Sequence, residues 1–499
     1  MGIRSFLSIP FASYIANEQK AWSLRPFETQ ESVFYSLIND AKHTAFGKGH
    51  AFAEIKTYED FKKNVPIRDY EDLKPYIERI IKGEKNVLWK GKPLYFAKTS
   101  GTTSGTKYIP LSKESVPYHI NSARNALLSY IYETGKADFL DKKLIFLSGS
   151  PVMEKKADIP TGRLSGIVNH HVPAYLRSNQ MPSYQTNCIE DWEEKLERIV
   201  DETLTQNMSL ISGIPPWVQM YFDKINQRTG KTIKEVFPDF SVFVYGGVNF
   251  EPYRQKLYES IGGKVDSIET YPASEGFIAY QDSQKEEGLL LLLNHGIFYE
   301  FIPVEEYFDE NPKRLSIQEV ELGKNYAIIL NTNAGLWGYS IGDTVKFISK
   351  NPYRLLVTGR VKHFISAFGE HVIGEEVEKA MKYALEIHQE VSTIEFSVAP
   401  QVNPTDSELP YHEWLVAFDH PPHDMKAFER TLDAKMQELN IYYKDLLEGR
   451  ILRTLKITPL QKDAFQQYMK SIGKLGGQNK VPRLSNDRKL AEAIKEWKV

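Results

Sequence analysis

The sequence predicts an α/β protein with a large N-terminal domain on a mainly parallel sheet, a β-rich barrel-like subdomain, and a smaller α+β C-terminal domain. Between residues 143 and 269, short runs that are apolar throughout alternate with helical patterns, as in parallel sheets covered on both faces. From 288 to 348 the helical pattern gives way to consecutive β-rich runs, which indicates an antiparallel sheet or a small barrel. Beyond residue 365, helix and strand patterns are mixed as in α+β domains.

The N-terminal region, residues 12–82, has mostly helical periodicity and is predicted to be scaffold. Within it, Thr57 followed by Glu59 and Asp60 is typical of a helix start. A short apolar strand at 94–97 leads into a segment rich in Gly, Ser and Thr, and helical spacing resumes at 113–134. The alternating units that follow are strands at 143–147, 208–212, 241–245 and 265–269, and helices at 191–204, 216–228 and 252–261.

A domain boundary is predicted where Thr-Gly-Arg-Val-Lys occurs at 358–362. The predicted large domain is 1–358, the hinge is 359–364 and the small domain is 365–499. The small domain is expected to hold helices at 375–387, 424–439 and 463–471, and strands at 392–398, 413–418 and 451–458.

Charge and cysteine content limit the partners. Because 62 basic side chains nearly balance 65 acidic ones, we expect neither nucleic acid nor an anionic membrane as a partner. The single cysteine, Cys188, excludes an internal disulfide and a multi-thiolate metal site, and it suits a reducing cytoplasm. No apolar run approaches the length of a membrane span, so a cytoplasmic protein is predicted.

The segment at 97–107 reads Ala-Lys-Thr-Ser-Gly-Thr-Thr-Ser-Gly-Thr-Lys. Glycines allow the backbone to turn tightly around an anion while hydroxyl and ammonium groups point at it, so the segment favours phosphate binding. It differs from the loop of common NTPases because Gly105 is followed by Thr106 rather than Lys. We expect the order strand, phosphate loop, helix here. Taken alone, the segment is also compatible with a flexible surface loop.

Five further motifs follow in order: Tyr-Gly-Gly at 245–247, Tyr-Pro-Ala-Ser-Glu at 271–275, Tyr-Ser-Ile-Gly-Asp at 339–343, Thr-Gly-Arg-Val-Lys at 358–362 and Gly-Gly-Gln-Asn-Lys-Val-Pro-Arg at 476–483. Together the six motifs resemble the adenylate-forming superfamily, and within it the GH3 family of acyl acid amido synthetases. The resemblance spans nearly the whole chain. Pro272 and Ser104 stand where many superfamily members carry glycine.

The resemblance implies the adenylate-forming fold and a site for ATP and Mg²⁺. It assigns the β- and γ-phosphates to the hydroxyl-rich segment, namely to Thr99, Ser100, Gly101, Thr102, Thr103 and Lys107. It assigns the remaining nucleotide contacts to residues of the later motifs: adenine to Gly246, Gly247 and Tyr271, the α-phosphate to Ser274, Mg²⁺ to Glu275, the ribose to Asp343 and a further contact to Arg360.

The resemblance also implies a domain motion that involves two lysines. Lys362 matches the hinge position, and Lys480 matches the late lysine that approaches the α-phosphate and the carboxylate when the small domain closes. The implied catalytic residues are Lys480, Lys107 and Glu275. Plainer roles stay open for several of these residues: a core position for Tyr271, and turn caps for Glu275 and Asp343. Both lysines could also be solvated.

The leading hypothesis is an ATP-dependent ligase that adenylates a carboxylic acid and passes the acyl group to an amino acid, releasing AMP. The alternatives are a thioester-forming enzyme like acyl-CoA synthetases and a nucleotide-binding regulatory protein without catalysis. Acyl specificity is predicted in segment 145–180 and near 215–217, since these should adjoin the carboxyl edge of the sheet. The adjacent His170 and His171 are expected to line a loop or pocket wall rather than bind a metal.

Overall fold

The computed structural model describes residues 2–100, 106–172, 177–247, 250, 253–361, 364–365, 372–402, 404, 409–448, 452–476, 480–485 and 487–499. These residues form two compact units, one comprising Met1–Gly247 and Gly262–Val357, the other Val248–Ile261 and Thr358–Val499. In the described part of the chain, no helix is both long and apolar enough to cross a bilayer.

The first unit begins with five helices, as the periodicity of 12–82 predicted. They are α1 (Ile3–Ser23), α2 (Pro26–Ala41), α3 (Ala45–Gly49), α4 (Tyr58–Asn64) and α5 (Tyr70–Ile81). Helix α4 starts where Thr57 predicts it, because Thr57 and Asp60 form a reciprocal capping box that satisfies free backbone N–H groups. Asp69 and Asp72 cap α5 in the same way.

The hydroxyl-rich segment lies at the end of a β-hairpin. Strands β1 (Tyr95–Ser100) and β2 (Thr106–Leu111) pair in antiparallel register, with Thr99 opposite Lys107. The predicted helix at 113–134 is present as α6 (Val116–Thr134), but strand β2, which was not predicted, lies between the loop and this helix. The residues after the loop include Tyr108 and Ile109, which suit a strand and are partly or fully buried against β1. The hairpin belongs to a four-stranded sheet ordered β2-β1-β5-β4, with β4 at Glu154–Lys156 and β5 at Ile159–Gly162.

The main sheet has eleven strands in the order β12-β13-β14-β15-β11-β10-β9-β8-β7-β3-β6. Its parallel half consists of β3 (Lys143–Phe146), β6 (Gln180–Met181), β7 (Met208–Ser212), β8 (Val242–Gly246) and β9 (Asp266–Ala273). All of these except β6 lie where the apolar runs predict strands. The intervening helices are α7 (Leu164–His170), α8 (Tyr184–Asn187), α9 (Trp192–Thr203), α10 (Pro215–Thr229) and α11 (Ile233–Val236).

The β-rich region continues the same sheet. Its strands are β10 (Gly276–Tyr280), β11 (Leu289–Leu291), β12 (Ile297–Pro303), β13 (Asn325–Thr332), β14 (Tyr339–Lys350) and β15 (Tyr353–Arg360). Strand β9 pairs in parallel with β8 and in antiparallel with β10, so it joins the two halves.

The second unit has its own core around Phe396, Trp414 and Tyr443. A three-stranded sheet contains β18 (Ser392–Gln401), β19 (Tyr411–His420) and β20 (Lys456–Leu460), and a small pair contains β16 (Phe364–Ile365) and β17 (Val372–Ile373). The helices of this unit are α12 (Arg254–Ile261), α13 (Gly374–Ile387), α14 (Met425–Leu439), α15 (Ile441–Glu448), α16 (Ala464–Ser471) and α17 (Lys489–Ile494). Helix α15 had no counterpart in the sequence prediction.

Gly246 ends β8 where it passes close to β9. A Cβ atom on Gly246 would lie 2.4 Å from the carbonyl oxygen of Thr270, a distance that real contacts do not reach. The next residue, Gly247, has φ 83°, a left-handed conformation that favours glycine. The backbone itself therefore requires both glycines of the Tyr-Gly-Gly motif.

We expect Gly246→Ala to lower the free energy of unfolding by about 1–3 kcal/mol, because the added methyl must displace backbone at the centre of the sheet. Gly49→Ala is the matched control, since no atom lies within 4 Å of its added Cβ and no left-handed φ is involved. Urea unfolding followed by circular dichroism measures both. Equal midpoints for the two variants would contradict the close packing at Gly246.

Candidate active site

The Ser274–Glu275 pair forms the turn between β9 and β10. Ala273 pairs with Gly276, so these two residues alone reverse the chain. The Ser274 side chain is buried, whereas Glu275 is partly exposed. Both side chains of the Tyr-Pro-Ala-Ser-Glu motif that were expected to contact phosphate and Mg²⁺ are thus fixed at a tight turn rather than in a long loop.

Asp343 lies in a β-bulge of strand β14. Ala327 of β13 pairs with Thr344, but Ile329, two residues on, pairs with Ser340, four residues back on β14. The extra residues are accommodated because Gly342 adopts φ 79°. The bulge turns the Asp343 carboxylate away from the regular alternation of the strand.

Tyr271 and Asp343, two predicted nucleotide contacts, touch each other directly. The Tyr271 hydroxyl donates to Asp343 Oδ2 at 2.7 Å, and the Tyr271 side chain is only 7% exposed. Three strands separate β9 from β14 in the sheet order. In a flat sheet the two strands would be about 19 Å apart, beyond the reach of these side chains. The antiparallel half must therefore curl, which agrees with the barrel-like subdomain predicted from sequence.

Glu275 is close to a second tyrosine of the curled sheet. The Tyr339 hydroxyl donates to Glu275 Oε1 at 3.4 Å. Burial raises the pKa of Tyr339 well above its ordinary value, and the nearby Glu275 and Asp69 carboxylates add to this. Tyr339 therefore stays protonated and can donate to Glu275 at any physiological pH.

The Glu275 carboxylate is the candidate Mg²⁺ ligand at this turn. In the part of the chain that the structure describes, no group of three His, Cys, Asp or Glu side chains is placed to hold a metal ion. Mg²⁺ in phosphoryl-transfer sites uses one or two carboxylates and takes its other ligands from phosphates and water. A single carboxylate beside a serine hydroxyl, as at the Ser274–Glu275 turn, fits that preference.

Lys107 is held on strand β2 beside helix α5. Its Nζ lies 5.5 Å from the centre of the Tyr70 ring, within cation–π range. The Tyr70 hydroxyl in turn accepts the backbone N–H of Tyr108 at 2.8 Å, which fixes β2 next to α5. Thr99 pairs with Lys107 across the hairpin. The side chain of Ser100 and the residues Gly101, Thr102 and Thr103 lie outside the described part of the chain, as does Lys362.

Arg360 and Lys480 belong to the second unit. Arg360 is exposed at the end of β15, and Lys480 is exposed before a firmly attached segment. In that segment the Pro482 carbonyl accepts from Ser397 Oγ at 2.7 Å, and the Arg483 carbonyl accepts from the Val398 N–H at 3.0 Å. Lys480 thus leads into backbone that is fixed to β18.

Arg483 fastens this segment through buried charges. Its guanidinium donates to Glu395 at 2.7 Å and to Glu378 at 3.2 Å, and lies 3.5 Å from the Tyr253 hydroxyl. It also covers the Phe396 ring at 3.9 Å. The two glutamates raise the pKa of Arg483 despite its burial. Sequence analysis quoted Arg483 only as part of a motif and missed this role, and it missed Tyr339 and Tyr70 as supports of the site.

Family models match the chain in three consecutive parts. The N-terminal domain of the GH3 family matches residues 16–186 and 162–265, its central domain matches 290–360, and its C-terminal domain matches 375–489. The chain belongs to the GH3 family. The family resemblance predicted from the motif order is therefore confirmed.

Plant GH3 proteins are similar to the chain over much of its length. A jasmonoyl-L-amino acid synthetase of Nicotiana attenuata is 24% identical over a region that covers 57% of this chain and 60% of that protein. The indole-3-acetic acid-amido synthetase GH3.3 of Arabidopsis thaliana is 22% identical over 93% of this chain and 90% of its own length.

Solved structures confirm the predicted adenylate-forming fold. The GH3.15 acyl acid amido synthetase superposes with a TM-score of 0.80 at 15% identity, covering 98% of this chain and 96% of the other. A 2-hydroxyisobutyryl-CoA ligase in the postadenylation state superposes with a TM-score of 0.61 at 13% identity, covering 96% and 92%.

We expect Arg483→Met to lower the free energy of unfolding of this GH3 protein by about 3–5 kcal/mol, because it leaves Glu395 and Glu378 buried without a counter-charge. The matched control is Arg430→Met. Arg430 is paired with Asp424 at 3.9 Å on the surface, where such a pair contributes little. Urea unfolding of the full chain should show an early transition in the first variant and none in the control. A small effect for Arg483→Met would contradict the buried network.

Proposed function

We propose that this GH3 protein is an ATP-dependent acid–amino acid ligase. It adenylates a carboxylic acid and then transfers the acyl group to an amino acid, which forms an amide and AMP. The observation that carries the proposal is the convergence of two motif segments in the first unit: the segment 271–275, with Tyr271 and the Ser274–Glu275 turn, and the Asp343 bulge. The plant relatives named as amido synthetases support the same reaction class.

In the first step a carboxylate oxygen of the acid attacks the α-phosphorus of ATP, the bond to the bridging oxygen breaks, and pyrophosphate leaves. Mg²⁺ bound with ATP neutralises phosphate charge. Asp343, oriented by the Tyr271 hydroxyl, accepts hydrogen bonds from the ribose. Ser274 contacts the α-phosphate and Glu275 contributes a metal ligand.

The cations and the hydroxyl-rich segment stabilise the negative charge that develops during this step. Lys107 acts on the β- and γ-phosphates and Lys480 on the α-phosphate, with Arg360 as a further contact. The phosphate site is completed by hydroxyls and backbone N–H groups of Thr99, Ser100, Gly101, Thr102 and Thr103. Gly246 and Gly247 allow the adenine to approach the backbone. The hinge, which includes Lys362, allows Lys480 to withdraw after adenylation.

In the second step the amine of the acceptor attacks the acyl carbon. A C–N bond forms, the bond between the acyl carbon and the phosphate oxygen breaks, AMP leaves, and the amine loses a proton. Both substrates are small molecules, and we place the reaction in the cytoplasm because the single cysteine suits a reducing compartment.

A second candidate is thioester formation with CoA, which would share the first step. It is favoured by the structural similarity to a 2-hydroxyisobutyryl-CoA ligase. The nucleotide-binding regulator without catalysis is the third. Following AMP release with either amino acids or CoA separates the first two, and any acid-dependent turnover excludes the third.

We expect acid-dependent exchange of pyrophosphate into ATP, measured with Mg²⁺ over a panel of aromatic and aliphatic acids. Lys107→Ala and Glu275→Ala should each slow the exchange at least about a hundredfold, because each removes a group that stabilises phosphate charge. Lys155→Ala, an exposed lysine on β4, should exchange normally. A wild-type protein that binds ATP but shows no exchange with any acid would contradict the proposal.

We expect Tyr271→Phe to raise the KM for ATP about fivefold with little change in kcat, since the lost hydrogen bond leaves Asp343 less well oriented for the ribose. The control is Tyr35→Phe, because the exposed Tyr35 makes a comparable bond of 3.0 Å to the Lys56 carbonyl away from the site. Steady-state pyrophosphate exchange gives both constants. An unchanged KM would separate the Tyr271–Asp343 pair from nucleotide binding.

A further inference from the structure

A buried lysine lies beyond the end of strand β3. Lys195 of helix α9 is only 2% exposed, and its Nζ donates to the carbonyl oxygens of Ser148 and Asn187 at 2.9 Å each. Ser148 follows the last residues of the β3 segment, and Asn187 ends helix α8. Two carbonyls leave one ammonium hydrogen of Lys195 for another acceptor.

A second cation is packed against the same loop. Arg163 directly follows β5 and packs on Gly149, the neighbour of Ser148. If Gly149 carried a Cβ atom, that atom would lie 2.8 Å from the Cδ atom of Arg163. Burial lowers the pKa of Arg163, and it lowers the pKa of Lys195 to about 8; the neighbouring Cys188 opposes this shift and the Arg163 charge adds to it. Both cations are therefore held close together and largely out of water.

In the part of the chain that the structure describes, these charges have no compensating carboxylate. Among the described residues, no Asp or Glu forms an ion pair with Arg163 or Lys195. Two polar atoms of the same cluster, Ser148 Oγ and Asn187 Oδ1, are buried without a hydrogen-bond partner. Elsewhere in the chain a buried cation such as Arg483 is matched by glutamates. Burying an unmatched charge is costly, so the cluster fits an anionic ligand that hydrogen-bonds to it.

The cluster lies beside the hairpin of β1 and β2, which carries the predicted phosphate-binding segment. Strand β5 pairs in parallel with β1, and Gly162 lies opposite Ala97. The next residue, Arg163, therefore lies at the level of Lys98, which precedes Thr99 in the chain. The carboxyl end of β3 is also the edge at which ligands of parallel sheets bind. Arg163 is partly exposed whereas Lys195 is only 2% exposed, so Arg163 is the more accessible of the two cations.

We propose that Arg163, supported by Lys195 and Ser148, binds the carboxylate of the amino acid acceptor. The inference rests on the proposed function and assigns the side chain that recognises the second substrate. The acid to be activated loses its carboxylate charge when it is adenylated, so it needs no lasting cation. The acceptor keeps its α-carboxylate while its amine reacts, and an Arg fork is suited to hold it.

The test uses Arg163→Gln, Arg163→Lys and the control Arg198→Gln, since Arg198 is exposed on the same helix as Lys195. Each is assayed for AMP release with an amino acid and with the amine that lacks its α-carboxylate, for example phenylalanine and phenethylamine. Arg163→Gln should raise the KM for the amino acid at least about 30-fold, because a buried charged hydrogen bond is lost. It should leave the KM for the amine and acid-dependent pyrophosphate exchange unchanged. Arg163→Lys should recover part of the affinity.

Several results would overturn the inference. An equal rise in KM for the amino acid and the amine would show a merely structural role for Arg163. A raised KM for the acid in pyrophosphate exchange would assign the cluster to the acid, and a loss specific to CoA would assign it to CoA phosphates. An absence of exchange in the wild-type protein would instead remove the proposed function itself, which this assay detects separately.

Discussion

The curl of the antiparallel half of the main sheet is the constraint on which the candidate site depends. Tyr271 and Asp343 lie on strands that three others separate, yet their side chains meet at 2.7 Å. The Ser274–Glu275 turn starts the curl by reversing β9, which still pairs in parallel with β8, into the antiparallel β10. Without this closure the two motifs would face different regions of the molecule.

The candidate site residues occur where the regular strands are interrupted. Glu275 is in a two-residue turn, Asp343 is in a bulge beside the left-handed Gly342, and Gly246 ends a strand that has no room for a Cβ atom. Irregular positions aim side chains in directions that strand alternation does not allow. The surrounding regular pairing keeps these directions fixed, because a change at one strand would disturb all its neighbours.

Two arginines of this chain, Arg483 and Arg163, differ in how their charge is compensated. Arg483 is matched by Glu395 and Glu378, and it anchors the segment that follows Lys480. Arg163 and Lys195 are buried in a cluster where the described residues offer carbonyls but no carboxylate. Adenylate-forming ligases share their first half-reaction, so the choice of acceptor falls to local features of this kind. A cation pair that meets no carboxylate among the described residues is consistent with the proposed acceptor, which brings its own negative charge.

The sequence by itself determined the fold class, the family and the identity of most candidate residues. Apolar runs predicted most of the parallel strands because burial on both faces requires them, and Thr57 marked a helix start because free N–H groups need local acceptors. The order of the motifs was sufficient to identify the family, because six short motifs rarely occur in the same order by chance.

Only the tertiary structure decided how these residues meet. The sequence did not predict strand β2 between the loop and the expected helix at 113–134, because its pairing with β1 is a tertiary contact. The contacts of Tyr271 with Asp343, Tyr339 with Glu275, and Arg163 with the loop of Ser148 join residues that are 72, 64 and about 15 positions apart. Such contacts leave no periodic signal, because sequence patterns report which face of an element is buried and not which distant side chain lies against it.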